Sequence, residues 1–170
     1  GVSRTCQKAG VVPGLSVVQV GDNPASTLYV KKKVERSQSL GWRSEHVHLP
    51  ATITAADLVA VLNRLNRDKQ VHGILVQLPL PVHLDSYAIL EHLDPAKDVD
   101  GFHPHNMGQL LCGLPILAPP CTPYGVMALL RYYKIPLLGK KVALLSRSNI
   151  VGKPLAVMFV EAEASVIWTH

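Results

Sequence analysis

The run Gly73-Ile74-Leu75-Val76-Gln77-Leu78 is almost unbroken in its apolarity and is closed by Pro79 and Pro81. A strand of that kind must be covered on both faces, which predicts a central strand with helices packed on either side of a parallel sheet. Apolar β-type runs alternate with helical patterns along the rest of the chain, so the expected fold class is α/β. Leu15 to Val20 reads as the first strand, closed by the turn residues Gly21-Asp22-Asn23-Pro24. A helix is expected from Ala25 to Leu40, with Gly41 just past its end. Glu45 to Leu49 is the next strand. Thr54 then caps a helix from Ala55 to Leu65, whose Leu58, Val61, Leu62 and Leu65 make one apolar stripe. Asp85 to Leu93 reads as a short helix and Asp94 to Pro104 as an extended loop. Thr122-Pro123 marks a helix start with proline in the first position, running to Tyr133. Lys140 to Leu145, Val151 to Ala162 and Ser165 to Thr169 then form one strand–helix–strand unit.

A composition shift at Pro115, Pro119, Pro120 and Pro123 would stiffen a connection and suggests a domain boundary. Residues 1–121 are therefore expected to form one α/β lobe and residues 122–170 the first part of a second. With 170 residues, 48% of them hydrophobic and 17% charged, the chain is an ordinary globular protein and not a disordered tail. No apolar run reaches the roughly 20 residues needed to cross a bilayer. Gly1-Val2-Ser3-Arg4-Thr5 has neither the apolar stretch of a signal peptide nor an initiating methionine, which suggests that something upstream is missing. The net charge of +5 favours acidic partners, but no nucleic-acid-reading motif accompanies it, so a polyanionic small molecule is expected instead. Cys6, Cys112 and Cys121 are too few and too scattered for a disulfide framework or a zinc site, which points to a reducing compartment.

Three places could carry chemistry. Tyr29 and Lys33 are four apart on a predicted helix and share a face. An ammonium partly removed from water can serve in proton transfer, and a tyrosine beside it could stack on a flat ligand. Lys31 and Lys32 read as solvated. Gln77 is an amide in an apolar strand and must find partners, either a catalytic lysine or ligand at the strand's end or the loop backbone. Lys97-Asp98-Val99-Asp100-Gly101 lies in a loop, where a carboxylate could pair with an amidine-like ring edge or simply close a turn. His46-x-His48 and His103-x-His105 each place two imidazoles on one side of an extended segment, and polar packing is preferred there over metal binding.

Together these segments closely resemble the signatures of the methylenetetrahydrofolate dehydrogenase/cyclohydrolase family. The similarity runs through Val20-Gly21-Asp22-Asn23-Pro24-Ala25-Ser26, Tyr29-Val30, Lys33, His72 to Pro81 and Lys97 to Phe102, and on through Pro120-Cys121-Thr122-Pro123 and Arg147 to Pro154. The resemblance implies a folate-binding catalytic domain over residues 1–121 and the start of a Rossmann-type NAD(P)-binding domain over residues 122–170. It implies that Lys33 handles the proton of the cyclohydrolase step, that Tyr29 stacks near the folate ring, that Gln77 holds and tunes the lysine, and that Asp100 anchors the pterin. Val76 and Leu78 flank Gln77 in the substrate site. Cys121 is given no chemistry and reads as a small buried residue in a hinge.

The implied reaction is oxidation of 5,10-methylenetetrahydrofolate to the methenyl form, followed by hydrolysis to 10-formyltetrahydrofolate. The implied cofactor is NADP in preference to NAD, with no metal. Polyglutamylated tetrahydrofolate is the implied substrate, and a cytoplasmic homodimer is expected, mitochondria being the alternative compartment. No nucleic acid or membrane partner is implied. Ser146, Arg147 and Ser148 form the cofactor turn, where helix N–H groups suit a pyrophosphate and Arg147 suits a 2′-phosphate. The family usually has glycine at the position of Ser146, where a positive φ or a close approach would cost a serine something. Family members continue on the order of a hundred residues beyond His170, a length that fits a complete dinucleotide domain. A competing expectation is therefore a truncated pseudoenzyme that binds folate or dimerises without dehydrogenase activity.

Overall fold

The computed structural model describes residues 5, 6 and 8–169. Gly1 to Arg4, on which the reading of the N-terminus mainly rests, lie outside the described residues. The chain forms two compact units, Gly1–Asp98 and Val99–His170.

In the first unit the elements run β1 (Gly14–Val20), α1 (Pro24–Ser39), β2 (Arg43–Leu49), α2 (Ala55–Arg67), β3 (Gly73–Val76) and α3 (Ser86–Leu90). Local chemistry sets their ends. The Asn23 side chain accepts from the backbone N–H groups of Ala25 and Ser26 and caps α1, with Pro24 in its first turn. Gly41 follows α1 with φ +74°, the left-handed conformation a helix end favours glycine for. Thr54 caps α2 as the sequence predicts, and Asp85 caps α3.

All three strands pair in parallel in the order β2-β1-β3, with Val17 opposite both His46 and Leu75. The central strand is thus β1. Gly73 to Val76 of the apolar run are buried as predicted, Gln77 and Leu78 only half-buried, and the strand lies at one side of this sheet, its outer edge met by a single parallel bridge from Ile74 to Asp98. Continuous apolarity reports burial of both faces and says nothing of how many strands flank an edge. The core joins Val17, Val18 and Ile74 of the sheet to Leu58, Leu62 and Leu65 of α2, all fully buried.

The second unit runs α4 (Pro104–Leu111), α5 (Cys121–Tyr132), β4 (Lys141–Leu145), α6 (Gly152–Glu161) and β5 (Ser165–Thr169). The strands β4 and β5 pair in parallel across α6, which is the expected strand–helix–strand unit. Its core gathers Leu110, Met127, Leu144, Leu155 and Phe159. Two sequence expectations are corrected here. The loop expected to run through Pro104 ends in α4, whose first residue is that proline and whose cap is the His103 ring. Helix α5 starts at Cys121, so Pro123 is its third residue and not its first. The first-turn N–H groups of a helix have no partner within it, so proline is tolerated at either place.

Candidate active site

Helix α1 and the end of β3 bring together two residues that stand 44 apart in sequence. The Lys33 ammonium donates to Gln77 Oε1 at 3.3 Å, and Gln77 Nε2 donates to the Leu78 carbonyl at 2.7 Å. Both alternatives for Gln77 therefore hold at once: one end of the amide is fixed on loop backbone, which turns the other end toward the lysine. Gln77 lies just beyond β3 but keeps the sheet ladder, its N–H donating to the Val18 carbonyl at 2.8 Å. Lys33 and Gln77 are half-buried, as is Leu78, while Val76 is buried inside the strand. Tyr29 is 59% exposed one turn before Lys33, so the phenol ring and the lysine share one face of α1.

The turn leading into α1 is held by a polar network that the sequence does not announce. The buried Gln19 donates through Nε2 to the Gly21 carbonyl at 2.9 Å and to Thr27 Oγ1 at 2.8 Å. Its Oε1 is left to accept from His46 Nε2 at 3.1 Å. His48 stacks on His46 with ring centroids 5.5 Å apart, and reaches the Gly21 carbonyl and the Asp22 carboxylate. The first histidine pair is thus a packing device for the β1–α1 turn. The second pair departs from the expected extended segment, because His103 and His105 sit at the start of α4, where His103 Nδ1 accepts from the His105 N–H at 3.0 Å. Among the described residues no group of three or more His, Cys, Asp or Glu side chains could hold a metal ion.

Burial, and secondarily the charge of His48, lowers the pKa of His46 below its ordinary 6.5. Below that value the unfolded chain takes up a proton before the folded one does. The stability this histidine contributes is therefore complete above pH 6.5 and is lost as pH falls toward its folded pKa. The ring is largely exposed, so the effect is small. Urea unfolding at about pH 7.5 and about pH 5.5 should show a larger acid loss in the native chain than in His46→Gln. Equal losses would remove His46 from the pH dependence.

Lys97 is the residue of the 97–101 segment whose part the sequence hides. Its ammonium donates to the carbonyls of Leu65, Asn66 and Asp68 at 3.3, 2.7 and 2.8 Å, a cation closing the C-terminal end of α2. Its own carbonyl accepts from Ile74 N–H at 2.7 Å, which ties the start of the segment to β3. In the second unit Asp100 is half-buried and precedes Gly101, whose φ is +70°. A methyl group on Gly101 would collide with the Ala118 carbonyl and lie 2.9 Å from Pro120 N, so only glycine fits there. Cys121 is exposed, not buried as expected: its Sγ meets the Val99 carbonyl at 3.5 Å at the open start of α5.

The turn after β4 is built around serine hydroxyls. Ser146 Oγ lies 3.3 Å from Ser148 Oγ, which accepts from the N–H groups of Val151 and Gly152 at 3.1 and 3.2 Å. Two of the amides expected to face a phosphate are thus satisfied by the Ser148 hydroxyl. Ser146 has no positive φ, so serine carries no backbone strain at that position. The close approach falls on Gly152 instead, where an added methyl would collide with the Ser146 carbonyl and lie 2.8 Å from its Oγ. Arg147 is exposed and has no carboxylate partner among the described residues. An open cavity of about 830 Å³ in the second unit is lined by residues that include Leu110, Ile116, Tyr124, Met127 and Arg131, and it involves none of the expected site residues.

Comparison with known proteins matches residues 2–100 to the tetrahydrofolate dehydrogenase/cyclohydrolase catalytic domain and residues 120–170 to the family's NAD(P)-binding domain. The bifunctional protein FolD of Streptococcus pyogenes is 49% identical over 169 residues, which is 99% of this chain and 59% of that protein. The crystal structure of the bifunctional FolD of Campylobacter jejuni superposes with a TM-score of 0.95 at 48% identity, covering 99% of this chain and 60% of that one. The Trypanosoma brucei FolD, solved with NADP and an inhibitor, gives 0.94 at 36% identity, covering 99% and 58%. The chain thus spans about three-fifths of the length of these relatives. On both its domain matches and its structural likeness, the chain belongs to the tetrahydrofolate dehydrogenase/cyclohydrolase family.

Proposed function

We propose that this chain carries the folate site and the first cofactor turn of an enzyme that oxidises 5,10-methylenetetrahydrofolate with NADP and hydrolyses the methenyl product to 10-formyltetrahydrofolate. The observation that carries the reading is the Lys33–Gln77 contact beside an exposed Tyr29. The folate ring stacks on Tyr29, flanked by Val76 and Leu78. Lys33, held by Gln77 and acting as the neutral amine, takes the proton of the water that adds to the bridging carbon of the methenyl cation. It then returns that proton to N5 as the N5–carbon bond breaks, while the hydroxyl of the adduct gives up its own proton to solvent, which leaves the formyl group on N10. Fixing the lysine through an amide carries no charge penalty, since Gln77 Oε1 can accept an N–H from the lysine whether it is an ammonium or a neutral amine.

The residues present fit a dinucleotide, because Gly152 brings the start of α6 against the Ser146 backbone and Arg147 offers a guanidinium free of carboxylates among the described residues. Ser146, Arg147 and Ser148 would hold its phosphates, and NADP when bound supplies the hydride acceptor. Arg147→Ala should weaken NADP by about tenfold or more and NAD far less, the loss of one charge-assisted contact to the 2′-phosphate. Equal losses in equilibrium dialysis would refute that contact. Residues 122–170 are taken as the nucleotide-binding part, and a cytoplasmic homodimer as the working state. No described helix is long and apolar enough to cross a membrane.

The test of the folate reading is loss of methenyltetrahydrofolate absorbance with the purified chain present. Hydrolysis above the buffer rate supports it, and a rate equal to buffer contradicts it.

A further inference from the structure

Trp168 is the last residue but one of β5 and lies beside Leu144 of β4 in the parallel pairing. Successive side chains of a strand point to opposite faces, so Trp168 shares with Leu144 and Val166 the face that packs against α6. Leu144 is buried there and Val166 partly so, whereas Trp168 is 50% exposed. The ring is nevertheless tied down. Its indole N–H donates to the Ser146 carbonyl, 22 residues earlier in the chain. Ser146 is the first residue past β4, outside the strand ladder, and its carbonyl is the group that Gly152 approaches without a side chain. One edge of the indole is thus fixed on the cofactor turn, while half of the residue stays open at the carboxyl ends of the strands. That end is where open α/β sheets take their ligands.

We propose that Trp168 is a positioning and base-recognising residue of the cofactor turn, pinning Ser146 by its N–H and offering its ring face to the adenine of the dinucleotide. The inference rests on the NADP reading and deepens it. Arg147 follows the residue that Trp168 holds, so an indole and a guanidinium flank the same stretch of backbone. The adenine and the 2′-phosphate belong to one nucleoside. Ring and cation therefore read two parts of the same half of the ligand, the base by stacking and the phosphate by charge. An indole N–H can only donate, and here it is spent on Ser146, which leaves the ring face as the contact for a base. A ring already fixed at one edge loses little freedom when a base stacks on it, and affinity gains by that preorganisation. The two contributions are separable: Trp168 serves NADP and NAD alike because both carry adenine, whereas Arg147 serves NADP alone.

The test is titration of the full chain with adenosine 2′,5′-bisphosphate, read by indole fluorescence and, in parallel, by equilibrium dialysis. The chain has two tryptophans, so Trp42→Phe and Trp168→Phe assign the signal. Binding should quench the native chain and Trp42→Phe, and should leave the emission of Trp168→Phe unchanged. Trp168→Ala should bind NADP and NAD about tenfold more weakly, both by the same factor, the loss of one stacked base. Circular dichroism confirms that each variant is folded. Bisphosphate that binds the native chain without quenching it, or quenching that persists in Trp168→Phe, overturns the assignment and leaves the NADP reading standing. An affinity for NADP that Trp168→Ala does not change also overturns it. A native chain that binds neither the bisphosphate nor NADP refutes the NADP reading and the Trp168 contact with it.

Discussion

Lys33→Met is expected to cut methenyltetrahydrofolate hydrolysis by about a hundredfold or more while leaving the thermal midpoint within a few degrees. Methionine keeps most of the apolar stem of the side chain and removes only the group that carries a proton. Lys33 is half-buried and its ammonium is held by Gln77 at 3.3 Å, so its structural part is slight. The amide left behind still donates to the Leu78 carbonyl and keeps its place. Activity should therefore fall far more than stability. Hydrolysis at the native rate would mean that another group moves the proton, and a collapse of the fold would mean that the lysine is structural.

Gly152→Ala should have the largest effect on stability, lowering it by about 1–3 kcal/mol or more. The methyl would meet the Ser146 carbonyl, 2.6 Å from its carbon, and backbone cannot swing aside as a flexible side chain can. Relief requires that α6 move away from the end of β4, which undoes the Ser148 contacts to Val151 and Gly152. Gly125 provides the contrast. It lies inside α5, and a methyl added there would have nothing within 4 Å, so Gly125→Ala should stabilise by about 0.5–1 kcal/mol. Urea unfolding of the two variants should move in opposite directions. A neutral Gly152→Ala would show that the close approach is not maintained in solution.

The elements that can be read from sequence are those fixed by neighbours in the chain. Asn23, Thr54 and Gly41 act on residues two to four away, so the bounds of α1 and α2 are legible to within a residue or two. Helix α4 escapes the sequence reading because His103-Pro104-His105 looks extended, although a proline in the first helical position followed by Met107 and Leu110 carries the signal. The position of β3 beside β1 depends on strand order, which apolarity does not encode.

Within the site, the residue types are legible and their contacts are not. Lys33 and Gln77 stand out separately, but only the parallel pairing of β1 with β3 brings them within a hydrogen bond. Gln19 looks like one more polar residue on a strand until the turn folds back on it. The close approach expected at Ser146 constrains Gly152, because such a contact involves two stretches of chain and sequence names only one. Lys97 offers no local hint that its ammonium closes the end of a helix some thirty residues earlier.

The most direct test of the central claim is a crystal structure of this chain with 5-formyltetrahydrofolate. The account predicts the ring system stacked on Tyr29, with the Lys33 ammonium within hydrogen-bond reach of the one-carbon group and Gln77 still holding the lysine. A ligand bound elsewhere, or one that leaves Tyr29 and Lys33 untouched, would contradict it.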